Sequence, residues 1–366
     1  MLIDISTVVP PYKVNQQKAT EGLKKRMGEK PAVARLIEAA SYHSGIESRY
    51  IVIPDAEEES SNKFYSHKGI FISPDTATRM KEYEKWSALL AAKAVSQIIN
   101  KNDFNIQKIN RLITISCTGF FAPGLDYKII KEFGIPPNVK RTNIGFMGCA
   151  ASLIGFNSII EANSSNQAEN NTLLISVEVC SLHLQSEPSR DNILANIIFA
   201  DGCAAALFSN AKEFKSKMRL DLLSVHSFLF ENSSEYMMWK IGNCGFEMIL
   251  SSDLPKIILN EAVPKLKEIL GTKGLNPEEI NHWALHPGGR AILDSLEKGL
   301  EISEEKMTPS REVLKNFGNM SSASILFVLK EIIDSGKIKE NDNICAVAFG
   351  PGLTMEVAFL KGLKCS

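Results

Sequence analysis

Cys149 is a thiol placed where a helical pattern begins. It lies in NIGFMGCAAS (143–152), beside Gly148 and Ala150, and the AASLIGFNSIIEA stretch that follows has the apolar spacing of a helix. The positive end of a helix dipole lowers the pKa of a thiol and favours the thiolate, which is the nucleophile. Small neighbours also leave room for an acyl group and free backbone N–H groups for an oxyanion. Considered alone, the segment fits a buried core cysteine equally well.

His286 and Asn319 are two further side chains at breaks in the pattern. His286 ends an apolar strand pattern in HWALHPGGRAIL (282–293), and the Pro-Gly-Gly that follows stops the strand. Residues at such strand ends are where α/β folds place their chemistry. Asn319 lies in the loop of NFGNMSSASILFVL (316–329), where a turn or capping role would explain it if it stood alone.

Two chemistries fit a cysteine, a histidine and an asparagine in this chain order. In a cysteine hydrolase, His286 is the base and Asn319 orients it. In a decarboxylative Claisen condensation, Cys149 carries an acyl thioester. The imidazole and the amide then donate hydrogen bonds to the thioester oxygen of a malonyl unit as CO₂ leaves, which stabilises the enolate. The residue types by themselves do not choose between these two chemistries.

Alternating strand and helix patterns predict an α/β fold that must position these residues. A capping stretch, SPDTAT, precedes helical spacing over 79–99, and β-rich runs occupy 111–116, 172–179, 203–209 and 220–230. A second series of helices and strands runs from LPKIILNEAV to the C-terminal TMEVAFL. The polar segment 210–219 separates the two series. We therefore expect two halves, 1–212 with the cysteine and 213–366 with the histidine and asparagine.

Composition excludes several classes of protein. The 366 residues are 44% hydrophobic and 23% charged, with a formal net charge of −1. A nucleic-acid-binding protein would show a basic excess, and no apolar run reaches the roughly 20 residues that a membrane helix needs. The N-terminal MLIDISTVVPPYKV has an early acid and a Pro-Pro pair, which is unlike a secretory signal. We expect a soluble cytoplasmic protein without a membrane span or a nucleic-acid partner.

Neither metal nor cofactor motifs are evident in the sequence. The seven cysteines are scattered and form no C-x-x-C pair, so we expect neither a disulfide framework nor a zinc site. His282 and His286 are four residues apart, but they straddle a strand and a turn rather than one helix face. Glycine-rich loops of the P-loop or dinucleotide type are also missing. The sequence therefore predicts an enzyme that needs no metal and no cofactor.

Motifs spread over nearly the whole chain resemble the type III polyketide synthases, the chalcone synthase family. They are GIESRY (45–50), CTGFFAPGLD (117–126), the GC pair that opens a helix (148–149), IIFADGCAAAL (197–207), HPGGRAILD (286–294), GNMSSASILFVL (318–329) and FGPGLTMEVA (349–358). This resemblance implies a thiolase-like fold of two βαβαβαβ-type halves packed in five layers, α-β-α-β-α. It also implies a homodimer with independent active sites.

The resemblance assigns roles to the three residues above. Cys149 matches the nucleophile that is loaded with the starter acyl group. His286 and Asn319 match the pair that raises the thiolate fraction and drives malonyl decarboxylation. The resemblance also implies eight substrate-binding positions, two of them gating phenylalanines, namely Phe199, Phe246, Ala122, Cys117, Cys180, His183, Ser321 and Pro351.

Some positions depart from the plant members of the family. Ala122 stands where those members have a methionine that reaches across the dimer. Leu36, Ala39 and His43 stand where they have basic residues that hold the coenzyme A phosphates. A starter delivered by an acyl carrier protein is therefore an alternative to a coenzyme A thioester. The basic cluster GLKKRMGEKP (22–31) is interpreted as a solvated face or, alternatively, as the surface that binds an acidic carrier.

These features predict an acyltransferase that makes a polyketide. We expect a fatty acyl starter on Cys149, two or three malonyl-CoA extensions, and cyclisation to an alkylpyrone or an alkylresorcinol or resorcylic product. The alternative is a single-round β-ketoacyl synthase III-like enzyme that uses carrier-bound substrates, although HPGG and GPGLT favour the polyketide synthase. An HMG-CoA synthase would need a catalytic glutamate, for which only Glu178 is a candidate, and a peptidase signature around the cysteine is missing.

Overall fold

The computed structural model describes residues 1–56, 63–67, 70–163, 169–211 and 218–364. The strands are β1 (Leu2–Val8), β2 (Tyr12–Asn15), β3 (Ser48–Ile51), β4 (Ser66–His67), β5 (Ile70–Phe71), β6 (Arg111–Ser116), β7 (Lys140–Gly145), β8 (Asn171–Val179), β9 (Asp201–Ser209), β10 (Met218–Leu229), β11 (Met237–Gly242), β12 (Gly245–Leu250), β13 (His282–Leu285), β14 (Asn343–Gly350) and β15 (Thr354–Lys364). The α-helices are α1 (Gln16–Met27), α2 (Pro31–Tyr42), α3 (Thr76–Asn102), α4 (Leu125–Phe133), α5 (Ala151–Asn163), α6 (Arg190–Ile198), α7 (Leu254–Ile257), α8 (Val263–Thr272), α9 (Arg290–Leu300), α10 (Glu304–Phe317) and α11 (Ser324–Asp334).

One large mixed sheet organises the chain, in the order β13-β14-β15-β10-β1-β9-β8-β6-β7. Its two parts are joined where Leu2 of β1 lies opposite Leu220 of β10. Within one part β6 runs parallel to β7 and β8, and within the other β13 runs parallel to β14. Because the carboxyl ends of parallel strands share one edge of a sheet, His286 and the turn before Cys149 both leave the sheet at such an edge.

Alternating strand residues show that five layers are stacked. In β6, Ile113 and Ile115 pack into the cluster that contains α5 and α11, whereas Leu112 packs into the cluster that contains α3 and α4. In β14, Ala346 faces α5 and α11, whereas Val347 faces the cluster of α8, α9 and α10. Since neighbouring strand residues point to opposite faces, α5 and α11 lie between the two half-sheets and the other helices cover the outside. The order is α-β-α-β-α, as expected from the sequence.

The helix α11 has the composition expected of a helix in the central layer of the fold. Six consecutive side chains, from Ser324 to Leu329, are buried. A helix that is apolar on every side is stable only when protein surrounds it, so SASILFVL marks a helix enclosed between sheets.

The strands and the long helix predicted at 79–99 are confirmed, the helix being longer at both ends. The hairpin β11–β12 was not predicted. The expected boundary between 212 and 213 lies outside the described residues and stays a prediction, and Cys365 also lies outside them. In the described part of the chain, no helix combines the length and apolarity that crossing a membrane requires.

Candidate active site

The nucleophile turn, Gly148–Ala150, is a 3₁₀ turn that leads directly into α5. Gly148 has a φ of +61°, and a Cβ added there would lie 2.3 Å from Cδ of Pro351. Only glycine therefore satisfies both the backbone conformation and the packing at this position. Pro351, one of the expected substrate-binding positions, packs directly against the turn that presents Cys149.

Asn319 joins the nucleophile turn to the histidine segment. Its Nδ2 donates a hydrogen bond to the Gly288 carbonyl at 3.2 Å, two residues after His286. Its Oδ1 accepts from the Ser321 backbone N–H at 2.8 Å and lies 4.0 Å from Sγ of Cys149. Ser321 Oγ lies 3.8 Å from the same sulfur. The structure thus brings Cys149, Asn319 and Ser321 together from distant parts of the sequence, and Asn319 links them to the segment that carries His286.

Burial controls the protonation of the cysteine and the histidine. Cys149 is 6% exposed and His286 is 2% exposed. Burial raises the pKa of Cys149 to about 12 and lowers the pKa of His286 to about 3, because both charged forms lose their hydration. The expectation that the pKa of this thiol is lowered was wrong, because desolvation by burial is the largest effect on it.

His286 is a neutral imidazole that can both accept and donate a hydrogen bond. Its backbone N–H donates to the Val347 carbonyl at 2.8 Å, which anchors the residue to β14. Neither ring nitrogen has a hydrogen-bond partner among the described residues. A neutral imidazole with both nitrogens available can accept a hydrogen bond from a thiol, or donate its N–H to an oxyanion.

Glu178 is a buried carboxyl group behind the cluster. It accepts hydrogen bonds from the Cys117 backbone N–H at 3.0 Å, from Thr118 Oγ1 at 2.8 Å and from Ser322 Oγ. Burial raises the pKa of Glu178, while these hydrogen bonds oppose that rise. The carboxyl group therefore connects the turn after β6 to the turn before α11, which is a structural role.

Cys117 and Ala122, two more of the predicted substrate-binding positions, lie in different parts of the structure. The Cys117 thiol accepts a hydrogen bond from the Gly148 N–H at 3.1 Å, so it supports the nucleophile turn from behind. Ala122 is exposed on a surface loop in this chain.

The other four predicted positions line a cavity of about 460 Å³, which we call the α1 cavity because α1 forms one wall. Phe199, Phe246, Cys180 and His183 lie on it, and Cys149, His286 and Asn319 do not. Phe199 lies between the catalytic cluster and the α1 cavity. Its backbone forms a β-bridge with Asn319, and the same residue belongs to the lining of the cavity. The gating role of Phe199 stays a prediction.

The α1 cavity has a largely apolar lining, and α1 adds charged residues of both signs to it. Its apolar lining includes Leu23, Ile51, Ile53, Phe71, Trp239 and Met248. Lys18, Glu21, Lys25 and Arg26 line it from α1, so the excess charge on that side is positive. Such a cavity fits an apolar chain whose far end carries negative charge.

Sequence reasoning missed several residues that shape this region. Arg49 donates to the Phe199 carbonyl at 2.5 Å and to the Asn196 carbonyl at 2.9 Å, and it is buried within GIESRY. Trp239 donates from Nε1 to the Cys117 carbonyl at 2.7 Å. The place of Arg49 inside the GIESRY motif was a usable signal, whereas nothing in the sequence around Trp239 indicated its contact.

Metal binding has no obvious site in the part of the chain that the structure describes, where no group of three or more His, Cys, Asp or Glu residues is arranged to hold an ion. The expectation that the reaction needs no cofactor stays a prediction.

Comparison with known proteins gives matches along most of the chain. Residues 221–364 match the family described as chalcone and stilbene synthases, C-terminal domain. Residues 58–236 match the family described as FAE1/type III polyketide synthase-like protein. The chain is 31% identical over 282 residues to the "Alpha-pyrone synthesis polyketide synthase-like Pks18" of Mycobacterium tuberculosis, which covers 76% of this chain and 71% of that protein.

Solved structures extend the similarity to the complete fold. PKS-I from the brown alga Ectocarpus siliculosus has a TM-score of 0.90 at 29% identity, covering 99% of this chain and 98% of that chain. The 1,3,6,8-tetrahydroxynaphthalene synthase of Streptomyces coelicolor has a TM-score of 0.86 at 26% identity, covering 98% of both chains.

Proposed function

The chain belongs to the type III polyketide synthase family, and from that premise we propose that it extends a fatty acyl starter held on Cys149. Membership confirms the family resemblance, the thiolase-like α/β fold and the acyltransferase class expected from the sequence. The proposed product is an alkylpyrone or an alkylresorcinol-type compound formed after two or three malonyl extensions. The relative from Mycobacterium tuberculosis carries alpha-pyrone synthesis in its name, which supports a pyrone.

The α1 cavity is the observation that carries this proposal. Its lining is largely apolar and includes Phe199 and Phe246, the two predicted gating phenylalanines. An aliphatic chain gains roughly 0.8 kcal/mol for each methylene it buries in such a place. A long acyl starter therefore has more to gain here than an aromatic or a two-carbon starter.

Loading of the starter is an acyl transfer to sulfur. His286 takes the thiol proton while the Cys149 sulfur attacks the carbonyl carbon of the starter thioester. A new C–S bond forms to Cys149, the C–S bond to the carrier breaks, and the carrier thiol leaves with the proton that the imidazole held. Proton transfer within the pair avoids a long-lived isolated charge in the buried site.

Extension uses the same three residues on a malonyl thioester. The bond between the malonyl α-carbon and its carboxylate breaks, CO₂ leaves, and the electron pair becomes an enolate whose negative charge lies on the thioester oxygen. The His286 N–H and the second hydrogen of Asn319 Nδ2 are donors suited to that oxygen. The enolate carbon then attacks the acyl carbonyl on Cys149, and the Cys149 thiolate is released and reprotonated.

The thioester carrier is proposed to contact α1 at the basic side of the cavity. Lys18 and Lys25 are exposed and seven residues apart, so they lie on the same face of the helix, with Gly22 between them. Leu36 and Ala39, at the positions where plant members have basic residues, supply no charge. Lys18 and Lys25 can attract the phosphates of coenzyme A or the acidic surface of a carrier protein.

A product screen by mass spectrometry tests the proposed function. The purified enzyme is given malonyl-CoA with acyl-CoA starters from acetyl to stearoyl, and Cys149→Ala serves as the blank. We expect pyrone or resorcinol masses from the long starters. Cys180→Phe, which fills part of the α1 cavity, should lose the longest starters first. Products from aromatic or short starters only would refute the fatty acyl assignment, and a linear product after one extension would favour the single-round enzyme.

The carrier is identified by charge reversal on α1. Lys18→Glu combined with Lys25→Glu should lower kcat/KM for the thioester about tenfold, most strongly at low salt, because repulsion replaces attraction. Lys30→Glu, an exposed lysine outside the cavity lining, is the matched control. Comparison of acyl-CoA with acyl carrier protein shows which donor depends on the lysines. Equal rates for the double variant and the wild type with both donors would contradict this role of α1.

A homodimer is proposed as the functional unit. The strand β7 forms one end of the sheet, and Phe120 and Met147, close to it in the structure, are 58% and 41% exposed. An open sheet edge beside exposed apolar side chains is typical of an interface. The cytoplasmic location stays a prediction.

A further inference from the structure

His183 is held in a single tautomer by two backbone groups. Its Nδ1 lies 3.0 Å from the Phe246 backbone N, which can only donate. Nδ1 must therefore accept, and Nε2 carries the proton, which it donates to the Thr118 carbonyl at 2.7 Å. Both ring nitrogens are occupied, so His183 is not a free acid or base in this site.

The ring of His183 also contacts two aromatic side chains of the β11–β12 hairpin. It stacks on Phe246 with centroids 4.2 Å apart and planes 11° apart, and the Trp239 ring meets it edge-on at 5.5 Å. Trp239 in turn donates its indole N–H to the Cys117 carbonyl at 2.7 Å. The hairpin is thereby attached to residues 117 and 118 at two points, of which His183 is one.

His183 itself is fixed by the segment that contains it. Arg79, fully buried, donates to the Leu182 carbonyl at 2.7 Å and to the Leu184 carbonyl at 3.1 Å. Gln185 Nε2 is 3.1 Å from the Phe246 carbonyl and 3.2 Å from the Cys244 carbonyl. The histidine ring is thus a rigid support for Phe246, and the contact through Cys117 extends to the Gly148 N–H beside the nucleophile.

We propose that His183 is a positioning residue for Phe246, and that it sets the wall of the α1 cavity against which a long acyl chain lies on its way to Cys149. This rests on the proposed function only in assuming that the starter passes through that cavity. A short starter reaches Cys149 without using the wall, so His183 determines selectivity for chain length rather than the chemistry of condensation. The substrate class selected in this way is a thioester of a long unbranched acid.

Three variants separate positioning from folding. His183→Leu fills the same space but lacks both hydrogen bonds and the aromatic stack. His183→Asn retains an acceptor, Oδ1, near the place of Nδ1, so it can still receive the Phe246 N–H. His226→Leu is the control, because His226 lies on β10 and is not among the residues that line the cavity.

Acylation of Cys149 is measured by intact-protein mass spectrometry with palmitoyl-CoA and with acetyl-CoA. We expect His183→Leu to raise the apparent KM for palmitoyl-CoA about tenfold, and to raise it by a larger factor than the apparent KM for acetyl-CoA. His183→Asn should recover most of that loss, and His226→Leu should match the wild type. Equal KM values in His183→Leu and the wild type would overturn the proposal, as would equal losses for both thioesters.

A second measurement decides the proposal independently of activity. The fluorescence of Trp239, obtained by difference from Trp239→Phe, should be more accessible to acrylamide in His183→Leu and close to the wild type in His183→Asn. If the wild-type enzyme is acylated by no long-chain thioester, the proposed function fails. In that case, unchanged Trp239 quenching in His183→Leu overturns the positioning role, and increased quenching supports it.

Discussion

At the scale of single residues, removal of the proton from the Cys149 thiol is the main energetic cost in the site. A thiol with a pKa of about 12 is protonated at neutral pH, and the neutral imidazole of His286 has both ring nitrogens available within the described structure. Glu178 is buried as well, but its oxygens already accept hydrogen bonds from Cys117, Thr118 and Ser322. We therefore propose that the thiol proton passes to His286 as the sulfur attacks the starter thioester.

We predict that His286→Gln slows alkylation of Cys149 by iodoacetamide at pH 7 by at least tenfold. Glutamine keeps the polarity of the site but cannot take a proton, so the thiolate must form against burial alone. The difference from wild type should shrink as the pH rises. Alkylation of Cys149 is followed by mass spectrometry of the intact protein and its peptides, and identical rates at pH 7 would exclude His286 as the proton acceptor.

At the scale of elements, two turns from opposite halves of the chain form the support of the nucleophile. The turn between β14 and β15 places Pro351 against Gly148, and Gly350 lies close to the Met147 carbonyl and to Cβ of Ala150. The orientation of Cys149 therefore depends on a contact between residues two hundred positions apart in the sequence.

Gly148→Ala should destabilise the protein by about 1–3 kcal/mol and slow acylation of Cys149, because the positive φ is strained for alanine and the new methyl group meets Pro351. Urea unfolding and the acylation rate measure the two effects. Adding Pro351→Ala should recover the part due to the steric clash and leave the part due to φ. Gly271→Ala is the control, since a Cβ there meets nothing within 4 Å. Equal stability of Gly148→Ala and this control would contradict the account.

At the scale of the whole molecule, two neutral histidines are enclosed by the layers. Burial lowers the pKa of both His183 and His286 to about 3. Below about pH 6.5 the unfolded chain binds a proton on each histidine, whereas the folded chain does not. The contribution of the two neutral histidines to the free energy of unfolding is therefore complete above about pH 6.5 and is lost as the pH falls toward 3. Asp201, whose pKa burial raises to about 6, acts in the opposite sense.

Lowering the pH from 7 to 5 should therefore cost about 2 kcal/mol of unfolding free energy for each of the two histidines. Over that interval the free energy of unfolding of His286→Gln should fall by about 2 kcal/mol less than that of the wild type. Because Asp201 and the other titrating groups are present in both proteins, their contributions cancel in this difference. Urea unfolding at both pH values is the measurement. Parallel losses in the variant and the wild type would mean that His286 takes up its proton in the folded state.

The proposed dimer leads to a further prediction about the whole molecule. Phe120→Asp should shift the protein to monomers in sedimentation velocity, because a charge replaces an exposed apolar side chain next to the open sheet edge. Leu89→Asp, at another exposed apolar residue on α3, is the control. A dimer that survives Phe120→Asp as well as it survives the control would place the interface elsewhere.

The sequence by itself determined the alternation of strands and helices from residue 79 onward, apart from the hairpin β11–β12, together with the α/β class and the three catalytic candidates, because period, turn residues and motifs are local properties. Enclosure of α11 could be read from its unbroken apolar run. Only the tertiary structure decided that burial raises the pKa of Cys149, that Ala122 lies at the surface, and that His183, Trp239 and Phe246 form one support. Desolvation and packing depend on which distant segments of the chain come into contact, and the local spacing of residues does not specify those contacts.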